Sequence, residues 1–147
     1  MEIENVKIFP LKKIADERGA VMHMLRSNQD HFQSFGEIYF SLVNSGIVKG
    51  WKLHKSIQQN MAVPEGEIKI VIYDARKSSS TFGQIQEVIF GNSNYCLLQL
   101  PPGVWYSFKA ISPTHAIIAN CTTAPHDPEE SMVLPLETSE IPYKWNK

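Results

Sequence analysis

The segment Val48-Lys49-Gly50-Trp51-Lys52-Leu53-His54 sets two titratable side chains two residues apart. On a β-strand, the side-chain period of two turns Gly50, Lys52 and His54 to one face. An imidazole titrates near neutral pH, so His54 can take or return a proton under ordinary conditions. Lys52 can hold a negative charge developing on oxygen. Burial beside another cation could instead depress it until it served as the base itself. A base with a fixed cation beside it is the equipment for removing a proton from a carbon next to a carbonyl. The competing interpretation is an exposed strand face on which both side chains are simply solvated.

Other chemistry finds less support. No G-x-S-x-G, Walker loop, C-x-x-C or H-E-x-x-H occurs, which leaves nucleophilic and zinc-hydrolase classes without a motif. Cys96 and Cys121 sit in the apolar runs YCLLQL and IIANC and are expected to be reduced, buried thiols. His23 and His31 flank a polar stretch, His115 opens an apolar run, and His126 lies in a Pro-rich loop with Asp127 and Glu129. His23 could contact a substrate, and His115 could face a cavity or be an ordinary hydrogen-bonded strand-end histidine. His126 is expected at the surface.

The elements that must position Lys52 and His54 are short. GEIYFSLV, GIVKGWKLH, EIKIVIYD, GQIQEVIF, NYCLLQL and HAIIANC are rich in β-branched and aromatic residues, separated by turn signals roughly every eight to twelve residues. The turns are Asn44-Ser45-Gly46, Pro64-Glu65-Gly66, Phe90-Gly91-Asn92 and Pro101-Pro102-Gly103. About eight to ten such strands indicate a sandwich or barrel. Only Ser27–Phe35 could hold a helical turn. In Glu67–Tyr73 the alternation sends Ile68, Ile70 and Ile72 to one face; Lys69, Val71 and Tyr73 go to another that could look into a wet cavity. Residues 1–147 form one domain, with 122–147 a Pro-punctuated wrap over the surface.

Composition narrows the class. The chain has 147 residues, 14 Lys+Arg against 15 Asp+Glu, 43% hydrophobic and 20% charged residues. A formal charge of −1 supplies no basic face for phosphates, so nucleic acid is not expected as a partner. No apolar run reaches membrane-spanning length, and the N-terminus has no secretory h-region. A cytoplasmic location is expected.

Three stretches carry a resemblance. Asp16-Glu17-Arg18-Gly19, then Asp74-Ala75-Arg76-Lys77-Ser78-Ser79-Ser80-Thr81-Phe82-Gly83, then Leu100-Pro101-Pro102-Gly103-Val104 stand in the order and spacing of one family. Over about Asp16 to Trp145 the chain resembles the dTDP-4-dehydrorhamnose 3,5-epimerases, a branch of the cupins, with D-x-R-x-x-S-x-T-F-G the most specific block. The resemblance implies an all-β, single-domain double-stranded β-helix (cupin jelly roll), usually a homodimer. The family's C-terminal extension is mostly missing; Ile141-Pro142-Tyr143-Lys144-Trp145 resembles its stub.

The family's catalytic positions match unevenly. Its R-G-x-H falls on Lys49-Gly50-Trp51-Lys52, with lysine at the base position and His54 facing the same way two residues on. The lysine expected after the base is replaced by Ser56-Ile57-Gln58-Gln59-Asn60. The tyrosine acid has no counterpart near Cys121-Thr122-Thr123-Ala124-Pro125, and Tyr106 stands for the histidine of P-P-G-x-x-H. The wider cupin metal positions fall on Lys52, His54, Gln59 and Tyr106. An ammonium offers no lone pair and one imidazole cannot hold a metal against water, so no metal and no cofactor are expected. The implied site is therefore catalytic His54, Lys52 and Tyr106, with His54 as base, Lys52 on the oxyanion and Tyr106 returning the proton.

Substrate contacts are expected from Arg18, Lys49, Gln59, Trp51, Arg76 and Tyr73, with Arg26, Lys55, Trp105 and Phe108 as further possibilities. Arg76 could instead be structural, tying its loop to Asp74. The implied function is epimerisation or isomerisation of a nucleotide-linked 4-keto-6-deoxy sugar in surface-polysaccharide synthesis. Two rivals remain open: a sugar-nucleotide-binding or regulatory cupin without the acid/base pair, and a lyase or isomerase acting on a free sugar.

Overall fold

The apolar runs become strands wherever turn residues let the chain reverse. The computed structural model describes residues 2–146 and contains twelve strands. They are β1 (Lys7–Pro10), β2 (Lys13–Asp16), β3 (Gly19–Met22), β4 (Glu37–Val43), β5 (Val48–His54), β6 (Gln59–Glu65), β7 (Glu67–Asp74), β8 (Ile85–Gly91), β9 (Cys96–Leu100), β10 (Val104–Ala110), β11 (Ala116–Thr122) and β12 (Ser131–Val133). Among the described residues there is no helix, so none is long and apolar enough to cross a membrane. Ser27–Phe35 forms turns closed by Gln29 N–H to Arg26 O and Phe32 N–H to Gln29 O. The surplus over the expected strand count lies in the short β1, β2, β3 and β12.

Two five-stranded antiparallel sheets, β1-β9-β6-β11-β4 and β12-β5-β10-β7-β8, face one another, with β2 and β3 as a separate hairpin. From β4 onward the chain alternates between sheets, returning to the same one only for the β7–β8 hairpin. That is the winding of a jelly roll. Gly66 permits one reversal. It has φ +83°, and a Cβ there would lie 2.8 Å from the Ala116 backbone.

Between the sheets, Ile68, Ile70 and Ile72 pack with Met61, Phe90, Leu98, Leu100 and Ile118 in the main core. The opposite face of β7 departs from expectation. Val71 and Tyr73 do not look into a wet cavity but lie under the C-terminal tail, with Trp51, Trp105, Ile141, Tyr143 and Trp145. Tyr143 Oη donates to Glu87 Oε1 at 2.7 Å, Trp145 Nε1 donates to Ser107 Oγ at 3.0 Å, and Lys69 Nζ sits 5.8 and 5.6 Å from the two tail rings. Each large side chain covered this way is worth about 1.5–3 kcal/mol. Both faces of this sheet are apolar, so each needs a cover.

The D-x-R block is a lock on the β7–β8 connection. Asp74 is fully buried; its carboxylate accepts from Arg76 Nε at 2.8 Å, Arg76 Nη2 at 3.0 Å, Ser79 Oγ at 2.6 Å and Thr81 Oγ1 at 2.6 Å. Arg76 Nη2 also donates to Glu4 O at 2.6 Å, which ties down the N-terminal segment. Burial alone would raise the Asp74 pKa, but the Arg76, Ser79 and Thr81 bonds outweigh it and hold the carboxyl well below the usual range.

Candidate functional site

One end of the sandwich stays open between β4, β5, β6, β10 and β11. A cavity of about 260 Å3 is lined by Tyr39, Ser41, Lys49, Gly50, Lys52, Met61, Tyr106, Phe108, Ile118 and Asn120. A second lobe of about 350 Å3 adjoins it, sharing Tyr39 and Lys52 and adding His54, Thr122 and the rim residues Glu37 and His126. The inner lobe has an apolar floor of Met61, Phe108 and Ile118, and the outer lobe adds His54, Glu37 and His126.

Strand alternation puts Lys52 and His54 on the cavity face of β5 and Trp51 and Leu53 on the other. A bulge then breaks the parity. β10 advances from Tyr106 to Phe108 while β5 retreats from Lys52 to Lys49, so β5 carries one extra residue. The extra residue re-aims the strand. Lys49 turns into the cavity and its Nζ donates to Ser41 Oγ at 3.2 Å and Leu42 O at 3.0 Å, while a Cβ on Gly50 would point at Leu136 of the tail, 2.8 Å away. Gly50 thus lines the cavity through its backbone alone.

His54 is 6% exposed. Nδ1 lies 2.6 Å from Glu130 Oε1, so the ring carries its proton there and leaves the Nε2 lone pair free, 3.4 Å from Tyr106 Oη. Glu130 is fixed in turn, because Oε2 accepts from the backbone N–H groups of Ser56 and Ile57, each at 2.9 Å. Burial depresses the His54 pKa below 6.5, against the opposing pull of Glu130, with Lys52 and His126 adding to the depression. Burial also opposes ionisation of Glu130, yet the Ser56 N–H, His54 and Ile57 N–H bonds together hold its pKa below the ordinary value. The pair is therefore neutral imidazole and carboxylate at pH 7.

Glu130 was not among the residues expected from sequence. It reaches His54 because β12 adds to the edge of β5, pairing Ser131 with His54 and Val133 with Lys52. The only local signal was the apolar Met132-Val133-Leu134 within a Pro-rich tail. No pattern near residue 54 points to it.

Tyr106 approaches His54, whereas Gln59, expected to contact substrate, is 2% exposed, lines neither lobe and instead supports Tyr106. Tyr106 Oη donates to Gln59 Oε1 at 3.1 Å, and Asn120 Nδ2 donates to the same oxygen at 2.8 Å. The Tyr106 ring lies parallel to the imidazole, with centroids 6.3 Å apart, and burial pushes its hydroxyl far above the usual phenol value. The four cupin metal positions thus converge, but as Lys52 and His54 beside a Tyr106 that is hydrogen-bonded to Gln59. One imidazole, with Nδ1 spent on Glu130 and an ammonium alongside, is not a donor set for a divalent cation.

Several expected substrate contacts fall elsewhere. Trp51 is 0% exposed and packed under the tail on the far side of β5, so it cannot stack on a ligand in this cavity. Tyr73 belongs to the same outer cluster, since odd positions of β7 point away from the sheet interface. Arg76 is engaged by Asp74 and Glu4 in the β7–β8 lock. Arg18 is at the turn of the β2–β3 hairpin, its side chain 83% exposed and paired with Asp16 at 2.6 Å, and it does not line the cavity of its own chain. Of the other histidines, His31 stacks on Phe9 and His115 pairs with Glu65 at 2.7 Å, both away from the cavity, whereas His126 stands on its rim.

Known proteins share this architecture. The family model for dTDP-4-dehydrorhamnose 3,5-epimerase matches residues 1–147. The structure of a dTDP sugar isomerase from Desulfovibrio desulfuricans G20 superposes with a TM-score of 0.95 at 44% identity, covering 97% of this chain and 92% of that one. A probable low-salt glycan biosynthesis epimerase of Haloferax volcanii is 32% identical over 149 residues, 98% of this chain and 95% of its own length. The spore coat polysaccharide biosynthesis protein SpsL of Bacillus subtilis is 27% identical over 146 residues, 98% of this chain and 97% of its own length.

Proposed function

The chain belongs to the dTDP-4-dehydrorhamnose 3,5-epimerase family, and from that premise we propose that it epimerises a nucleotide-linked 4-keto-6-deoxy sugar by metal-independent proton abstraction. The observation that carries this is the buried Glu130–His54 pair, with His54 lining the lobe to which Lys52 also contributes. His54 Nε2 takes the proton from the carbon next to the ketone, the C–H electrons move to the carbonyl oxygen, and the Lys52 ammonium offsets that charge. Glu130 holds the tautomer and stabilises the imidazolium once formed. The same carbon then recovers a proton, with inversion when it arrives from the other face. A module that only bound sugar nucleotides would gain nothing from a carboxylate-anchored imidazole, and a nucleotide-sugar substrate fits a cytoplasmic reaction.

The test is to incubate the protein with dTDP-4-keto-6-deoxyglucose in deuterated buffer and follow deuterium beside the carbonyl. Uptake is expected, with an acid limb inflecting below pH 6.5 and a plateau near 7, because His54 acts only when deprotonated and its pKa is depressed. A rate still climbing steeply above pH 8 would assign the base to Lys52 instead. No uptake from this or any other nucleotide-linked 4-keto-6-deoxy sugar sinks the proposal.

Lys49 and Lys52 are the cations of the cavity itself; Arg18 can serve one only if its hairpin is carried to a second copy. A homodimer is therefore part of the proposed function. A lone hairpin is marginally stable, and β4 is a sheet edge whose outward Ile38, Phe40 and Leu42 are 48, 69 and 52% exposed. Light scattering is expected to give a dimer, and Phe40→Lys a folded monomer; a wild-type monomer at micromolar concentration excludes the assembly.

A further inference from the structure

Inversion needs two proton-transfer groups on opposite faces of one carbon. His54 and Lys52 lie on β5 and Tyr106 on the adjacent β10, so all three expected catalytic groups come from one sheet. Tyr106 is further disqualified as the opposite-face donor. It is 5% exposed, gives its hydrogen to Gln59, and lies parallel to the imidazole it would have to oppose. The facing sheet presents Tyr39 and Ser41 from β4, Met61 from β6, and Ile118 and Asn120 from β11. Of these, Tyr39 has the one hydroxyl that can act as a proton donor of useful strength.

On the epimerase reading above, we infer that Tyr39 is the acid that returns the proton on the face opposite His54, with Asn120 holding the phenol in place. Tyr39 and Lys52 are the two residues shared by both lobes, and they approach that junction from different sheets. Asn120 Nδ2 donates to Tyr39 Oη at 3.0 Å while also bonding Gln59, which locks the phenol oxygen to the floor of the site. Among the described residues no protein group accepts the Tyr39 hydrogen, so it is available to a ligand. Asn120 lines the inner lobe but is itself only 2% exposed, which fixes the amide that holds the phenol. Burial, with Glu37 nearby, raises the Tyr39 pKa against the Asn120 bond, which keeps the phenol protonated at neutral pH.

The fate of label in deuterated buffer separates the two tyrosines. In Tyr39→Phe, His54 still exchanges the carbon-bound proton and returns deuterium to the face it came from. Uptake with retained configuration is expected to persist, while epimer formation falls by about 100-fold or more. In Tyr106→Phe uptake and epimer formation are expected to change together, because that ring flanks His54 and is not the opposite-face donor. The phenylalanine is nearly isosteric, and an unchanged melting temperature checks the fold. Epimer at the wild-type rate from Tyr39→Phe overturns the assignment, as does joint loss of uptake and epimer, since Tyr39 would then act before the proton returns. Wild-type protein that neither exchanges nor epimerises overturns the epimerase reading itself and the assignment with it.

Discussion

Replacing His54 by glutamine is expected to slow deuterium uptake from the keto-sugar nucleotide by about 100- to 10,000-fold, the usual contribution of a positioned general base. Glutamine can still bond Glu130, so the buried carboxylate keeps a partner and the fold is preserved. The companion variant Lys52→Met removes a charge that meets the substrate only as its oxygen becomes anionic. About a 100- to 1,000-fold loss in kcat with a smaller change in KM is expected. Measuring uptake and melting temperature on both variants checks these results. Unchanged uptake in both excludes the cavity end of β5 as the reaction centre.

The largest expected effect on stability lies far from that centre. Asp74→Ala leaves the Arg76 guanidinium, 19% exposed, without its main partner and releases Ser79 and Thr81 together. Breaking a buried charge pair by removing one member costs about 3–5 kcal/mol. For a chain of this size that lowers the melting temperature by roughly 10 °C or more, measurable by calorimetry. Because the Asp74 pKa is depressed, its contribution is complete above the ordinary value of 3.8 and drains away as the pH falls below it. In Asp74→Ala, melting is expected to lose that part of its acid sensitivity. A shift of only a degree or two shows that the lock carries little of the stability.

The sequence block that most strongly marks the family is therefore a fastener. D-x-R-x-x-S-x-T-F-G is legible because the partners of the Asp74 carboxylate all fall within a few residues of it, so spacing along the chain is spacing in space; only the bonds to Glu4 come from elsewhere. The Lys52–His54 face was legible for the same reason, since strand period is a local property. Its extension to Lys49 was not. The bulge that turns Lys49 inward is set by how β10 pairs with β5, and nothing in Val48–Trp51 announces an extra residue.

Trp51 and Tyr73 show the same limit from the other side. Alternation sends both away from Lys52 and Ile72, but whether that second face meets solvent, ligand or protein depends on where the tail returns. Ile141, Tyr143 and Trp145 are separated from β5 by most of the chain, and only folding lays them across it.

From the order of its residues alone this chain determined an all-β sandwich or barrel and the pairing of lysine with histidine on one strand face, and its resemblance to the epimerase family narrowed the fold to a jelly roll. Tertiary structure decided what surrounds that imidazole: Glu130 bonds it through an added edge strand, and Tyr39 lines the same lobe from the facing sheet. Local pattern records the direction a side chain leaves its own strand. The distance between two strands remote in sequence is set by hydrogen-bonded register and by packing across the core, and both exist only once the sheets have closed.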